Sequence, residues 1–186
     1  MATSFIGQAD LPIGLRNNNP GDFKTGISWQ GAIGAEGDFV TFSDVTWGLR
    51  ALARDITTKI NSDGLDTITT LISKYAPATD SNDVPAYIAA VAQQSGIGAD
   101  DQLGTDSDTL HSLMRAIVDH ELGASYGAMV LDSDIDAGIA MSQGGVVSTL
   151  PQAALIAAQA NPIQTGALIA AIVFIIYQLA GGPKRR

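Results

Sequence analysis

Two glutamates stand against seventeen aspartates in this 186-residue chain, so each is worth placing. Glu121 closes the run Leu113-Met114-Arg115-Ala116-Ile117-Val118-Asp119-His120-Glu121-Leu122-Gly123, whose apolar residues recur at helical spacing. A carboxyl there meets the negative end of the helix dipole, and apolar neighbours strip it of water. Both effects favour the proton-bearing form, the state from which a general acid protonates a glycosidic oxygen. Glycoside hydrolysis commonly uses a second carboxylate. Glu36, in the glycine-rich stretch GAIGAEGDF, is the candidate for it, with Asp38 behind it. Trp29, Trp47 and Tyr87 are candidates to line a sugar groove. Each has a plainer reading: a surface glutamate near a helix end, solvated loop carboxylates, aromatics of the core.

Other chemistries fit poorly. His120-Glu121 lacks the second histidine of a zinc-protease helix, since Ala124 and Ser125 follow. His111 and His120 are nine residues apart, a poor pair for one metal. Asp132, Asp134 and Asp136 have the spacing of a calcium loop. The glycine, Gly138, is displaced by one and Gln143 stands at the twelfth position, so a solvated acidic turn is expected. There is no phosphate-binding loop and no nucleophile elbow. With zero cysteines a disulfide framework and thiolate metal sites are excluded. No metal and no cofactor is expected. Residues 1–136 hold all nineteen acids and seven of the ten bases, a net of −12. Such a body repels phosphate backbones, which argues against nucleic acid as a partner.

The elements that would position these groups are mostly helices. Residues 1–43 read as loops with a small hairpin around Asp38 to Phe42. Asp44 or Thr46 caps a helix through Leu49, Leu52, Ala53, Ile56 and Ile60, ended by Gly64. Asp66 caps a second, with Ile68, Leu71, Ile72 and Tyr75, stopped by Pro77. Asp83 precedes a third, with Pro85 in its first turn and Tyr87, Ile88 and Val91 on one side. Ser107 or Asp108 caps a fourth, which carries Leu110, Leu113, Met114, Ile117 and Val118 and ends at Gly123. Residues 136–162 read as a Gly/Ala/Ser/Gln linker, with an amphipathic helix over Pro151 to Ala160. With 46% apolar residues the chain has enough material for a core.

The string GLRNNNPGDF, residues 14–23, is a rigid turn by composition: Asn side chains bond nearby backbone, Pro20 fixes φ and Gly21 permits a left-handed residue. Taken with Trp29-Gln30-Gly31, Phe39 and Phe42, Gly48-Leu49-Arg50-Ala51, then T-I-x-x-L-I-x-x-Y-A-P and Y-I-x-x-V, it resembles phage and prophage structural proteins suspected of degrading peptidoglycan. The resemblance covers residues 14 to about 97. Those proteins usually carry Asn-Ile after Pro-Gly, where this chain has Asp22-Phe23. The stretch from Asn18-Asn19 through W-x-G is also similar to bacterial glucosaminidases of lysozyme-like fold. Their catalytic glutamate lies upstream of that stretch, and no glutamate lies upstream here. The helix ending in Glu121 is similar to the catalytic helix of lytic transglycosylases, with Leu122 in place of their usual serine. Tyr87-Ile88-Ala89-Ala90-Val91 resembles another of their segments. These likenesses imply a general acid/base at Glu121, substrate contacts at Asn18, Asn19 and Tyr87, and a chain order in which the glutamate helix comes last.

The C-terminal part reads differently. Residues 137–183 carry no charged side chain, and Lys184, Arg185 and Arg186 follow. Twenty residues from Ile163 to Gly182 would reach ~30 Å as a helix, about one hydrocarbon core. The fold class expected is therefore mainly α, an α+β lysozyme-like domain over residues 1–135, plus a single transmembrane helix over 163–183 and a basic tail at 184–186. The function expected is a membrane-anchored, virion-associated enzyme that cleaves peptidoglycan glycan strands during phage entry or exit. The expected partners are the glycan strand, a lipid bilayer through residues 163–183, and capsid or other virion membrane proteins. The expected location is the internal membrane of a virion, reached from the host inner membrane. The alternative is a non-catalytic protein linking membrane and capsid.

Overall fold

The structure is a computed structural model that describes residues 3–76 and 83–144. In chain order its elements are α1 (Ile13–Arg16), β1 (Ala32–Glu36), β2 (Phe39–Phe42), α2 (Val45–Asn61), α3 (Ile68–Tyr75), α4 (Val84–Ser95), α5 (Ser107–Leu122), α6 (Ala124–Gly127) and α7 (Asp132–Ser142). It is an α+β domain, mainly helical with one small sheet.

The two strands form an antiparallel hairpin in which Glu36 faces Phe39 across the two-residue turn Gly37-Asp38. Gly37 takes a left-handed φ of 57°, as tight hairpin turns require. Val40 and Phe42 of β2 point inward, while β1 is almost wholly exposed. The sheet therefore borrows its stability from what β2 packs on. Val40, Phe42 and Ala51 make a small cluster walled by Phe23, Trp29 and Trp47.

The RNNNPG string is the stitch that holds this hairpin. The Asn17 carbonyl accepts the Phe42 N–H at 2.9 Å. Asn18, at φ 53°, donates from Nδ2 to the Phe42 carbonyl at 3.1 Å and accepts the Phe5 N–H on Oδ1 at 2.8 Å. Asn19 donates to the Val40 and Phe23 carbonyls at 3.0 Å each and accepts the Phe23 N–H at 3.0 Å. Asn18 and Asn19 are fully buried, so these bonds satisfy backbone groups that no water reaches.

Helix starts follow side-chain caps. Asp44 accepts the Thr46 and Trp47 N–H groups at the start of α2. Asp83 accepts the Ala86 N–H at the start of α4, with Pro85 in the first turn. Two caps fall one residue from the expected ones: Thr67, in a capping box with Thr70, opens α3, and Asp106 opens α5. Each such cap contributes about 1 kcal/mol. The core runs along one face of each long helix, with Leu49, Leu52 and Ile56 of α2 meeting Leu113, Met114 and Ile117 of α5 in a single buried cluster.

Three expectations change here. The linker expected from residue 136 is helix through Ser142, and α7 buries Ile135, Gly138 and Ile139 in the domain. Its acidic residues Asp132 and Asp134 form a first turn, where the helix dipole favours them, and not a separate turn. The third correction is the membrane. Among the described residues no helix is long and apolar enough to cross one. The longest, α2, has 17 residues and carries Arg50, Arg54, Asp55 and Lys59. The transmembrane helix expected over 163–183 lies outside the described residues, as do the basic tail at 184–186, the rest of the linker and the helix expected over Pro151 to Ala160. The fold class is corrected to the α+β domain alone. The bilayer partner, the membrane location and the membrane anchor in both expected functions rested on that helix, and no described element supports them.

Candidate functional site

α5 delivers Glu121 to an open cleft. Its buried face (Leu113, Met114, Ile117, Val118) fixes the helix in the core, and Gly123 at φ 74° ends it one residue past Leu122. Arg115 secures that end. Its guanidinium donates to the Val130 carbonyl at 2.7 Å and the Gly127 carbonyl at 2.8 Å, and pairs with Asp119 at 2.5 Å. Glu121 is half-buried and accepts the Tyr87 O–H on Oε1 at 2.6 Å. Tyr87, on α4, is buried, and His120 lies flat on its ring with centroids 3.6 Å apart. Burial pushes the Tyr87 phenol far above its ordinary range, and the charges of Tyr75 and Glu121 add to this. Tyr87 is therefore a permanent donor to Glu121.

The cleft encloses about 520 Å³. One wall is aromatic: Phe23, Trp29 and Tyr75, with Phe23 4.9 Å from Trp29 and edge-on to Tyr75. Other lining residues are charged: Asp22, Asp55 and Glu121 together with Lys24, Lys59 and Lys74. These are all the lysines among the described residues. Lys59 pairs with Asp55 and lies against the Tyr75 ring. Flat apolar faces next to hydrogen-bonding charges suit a sugar ring, which has both kinds of surface.

Asp22 is the residue that sequence reasoning passed over. It takes a left-handed φ of 47°, one of two non-glycine residues among those described to do so. Its Oδ1 is buried without a hydrogen-bond partner. That oxygen packs where a Cβ at Gly14 would go, next to Leu122. Burial first, then the charge of Glu121, pushes the Asp22 carboxyl up to about 6. Trp29 Nε1 and Asp55 Oδ2 are also buried and unpartnered, so three of the six described residues with such an atom line this one cleft. Polar groups left unsatisfied together mark a place where the chain forgoes stability, as binding sites do.

The other candidates scatter. Tyr87 and Trp29 join Glu121 at the cleft. Trp47 sits under the hairpin, with Arg50 over its ring at 5.7 Å. Asn18 and Asn19 spend their amides on backbone and do not line the cleft. Glu36 is on β1, where Arg16 donates to it from Nε at 3.0 Å and Nη2 at 2.5 Å. This pairing holds its carboxyl below the usual carboxylate range. Glu36 lines a second cavity of about 460 Å³ that does not include Glu121. Among the described residues no group of three or more His, Asp and Glu is placed to hold a metal ion.

No protein-family profile matches the chain. Over 118 residues it is 33% identical to "Protein P5" of Pseudoalteromonas phage PM2, a match that takes in 60% of this chain and 72% of that protein. The relative is a phage protein, in line with the phage part of the resemblance read from the sequence; its name states no activity.

Proposed function

The chain belongs to the family of protein P5 of Pseudoalteromonas phage PM2, and from that premise we propose that this phage protein cleaves the glycan strand of peptidoglycan with Glu121 as an acid/base carboxylate. The observation that carries the reading is the pairing of Glu121 with Tyr87 at 2.6 Å on the edge of a cleft whose wall is Phe23, Trp29 and Tyr75. A carboxylate in an open aromatic cleft has the parts that glycosidic cleavage needs: a proton-exchanging group, a stacking surface for the ring, and room for a strand. The segments whose sequence resembles lytic transglycosylases support it.

The test is the full-length protein on purified peptidoglycan, with released fragments identified by mass. The parent should release muropeptides. Glu121→Gln should lose ~10²–10⁴-fold in turnover, the usual worth of a general acid or base, and keep its fold. Glu36→Gln should cleave as the parent does, because Glu36 lies in the other cavity. Absence of release by the parent, or full activity in Glu121→Gln, overturns the reading.

A further inference from the structure

The inference rests on the glycan-cleaving reading above and assigns its two protons. Asp22 and Glu121 line the same cleft, yet they are held in opposite ways. Glu121 receives the Tyr87 phenol O–H, which fixes the orientation of its carboxyl at the cleft. Asp22 has a buried oxygen that receives nothing. A buried carboxylate oxygen without a donor is a poor anion, and the neutral carboxyl is the form that such a site tolerates. Asp22 also holds a left-handed backbone, a conformation that glycine adopts more easily. Strain of this kind collects at working sites.

We propose that Asp22 is the proton donor of the cleavage and Glu121 the base, so that the strand is cut by water. The Asp22 carboxyl passes its proton to the glycosidic oxygen as the bond from that oxygen to the anomeric carbon breaks, and the bonding pair stays on the oxygen. A water oxygen bonds the anomeric carbon and gives up one proton to the Glu121 carboxylate. One water is added across the cut. Asp22 is left ionised and Glu121 protonated, and exchange of one proton through solvent restores both. Two carboxyl groups held in different surroundings divide acid and base roles in this way. The charged and titratable groups that share the cleft with Asp22 are Lys24, Asp55, Lys59, Lys74, Tyr75 and Glu121, with Tyr87 behind Glu121. Burial and Glu121 dominate the Asp22 carboxyl.

The test compares Asp22→Asn with Glu121→Gln in the full chain. Asparagine accepts a left-handed backbone, so the fold should persist. On peptidoglycan, Asp22→Asn should lose ~10²–10⁴-fold in kcat with little change in KM, and the alkaline limb of the pH–rate profile should vanish. On a dinitrophenyl chitooligosaccharide, whose leaving group needs no proton, Asp22→Asn should recover most of the parent rate while Glu121→Gln stays slow. In ¹⁸O water the parent's new reducing ends should carry the label. If Asp22→Asn cleaves peptidoglycan like the parent, or stays equally slow on the activated glycoside, or the parent yields unlabelled anhydro ends, the assignment falls while Glu121 stands. No cleavage by the parent on either substrate removes both readings.

Discussion

At Asp22 one side chain combines a left-handed backbone, an unpartnered buried oxygen and a neighbouring carboxylate. The consequence for stability has a definite sign. Folding raises this carboxyl from 3.8 to about 6, so the folded chain holds the proton more tightly than the unfolded one. The contribution of Asp22 is fully present below the unfolded value and is lost as pH rises through the folded value. Two units correspond to on the order of 3 kcal/mol, and the open cleft screens part of it, which leaves about 1–2 kcal/mol. Asp22→Asn, which cannot ionise, should melt with the parent near pH ~4 and a few degrees above it at pH ~7.5. Coincident melting curves at both values would show that Asp22 costs the fold nothing. A variant that melts higher and cleaves less is the mark of a group kept for chemistry. The place of Glu121 was legible in the sequence because its setting is local, an apolar helix whose last residue is the next one, Leu122. Asp22 was not. What buries it comes from Gly14 on α1 and Leu122 on α5, and no spacing near residue 22 encodes that meeting. Asn18 and Asn19 drew attention for the right string and the wrong job, since their amides hold β2 and the N-terminal segment.

Among the elements, those with a cap and a wide apolar stripe could be read directly. Asp44 and Asp83 sit where expected, and the buried faces of α2 and α5 follow the leucine and isoleucine spacing. α7 escaped because the face it buries is small. Its stripe is Ile135, Gly138, Ile139 and Ser142, at helical spacing, but glycine and serine make it look like a linker. The structure gives the reason for their size. A Cβ on Gly138 would stand 2.6 Å from Leu49 Cβ and 2.9 Å from the Arg50 nitrogen, so α7 lies directly on the backbone of α2. Alanine improves helix propensity over glycine by about 1 kcal/mol. Here it also drives a methyl into backbone that cannot yield, at a cost of roughly 1–3 kcal/mol or more. Gly138→Ala should therefore lower Tm by several degrees, while Ser133→Ala on the exposed side of α7 should leave it unchanged or slightly raised. A Gly138→Ala protein as stable as the parent would mean that α2 and α7 are farther apart than described.

Over the whole molecule, the net charge of −9 would oppose capture of an anionic strand under the proposed function. That balance was plain from composition, but where the few lysines gather was not. Lys24, Lys59 and Lys74 come from the turn after the RNNNPG string, from α2 and from α3, and all three border the cleft. Of the arginines, Arg16 is paired with Glu36 and Arg115 with Asp119, both away from it. The cleft thus gathers all the described lysines beside three carboxylates, so positive charge is concentrated there relative to the rest of an acidic body. The field reaches about 10 Å at 0.1 M salt, enough to guide a strand already near the surface. Association of the full chain with sedimented peptidoglycan should accordingly weaken as salt rises from ~0.02 to ~0.5 M. Replacing Lys24 and Lys74, both exposed, by Gln should reduce binding at low salt by roughly tenfold, within the range of electrostatic gathering, and flatten the salt dependence. Lys59 is left in place because its side chain is mostly buried. The cut itself should survive in this double variant, since neither lysine carries a transferred proton: kcat at saturating strand stays near the parent value while KM rises. Binding that ignores salt in both proteins would place recognition on the aromatic wall of Phe23, Trp29 and Tyr75 alone. A fall in kcat in place of the rise in KM would mean that the lysines act on the bond-breaking step and not on capture of the strand.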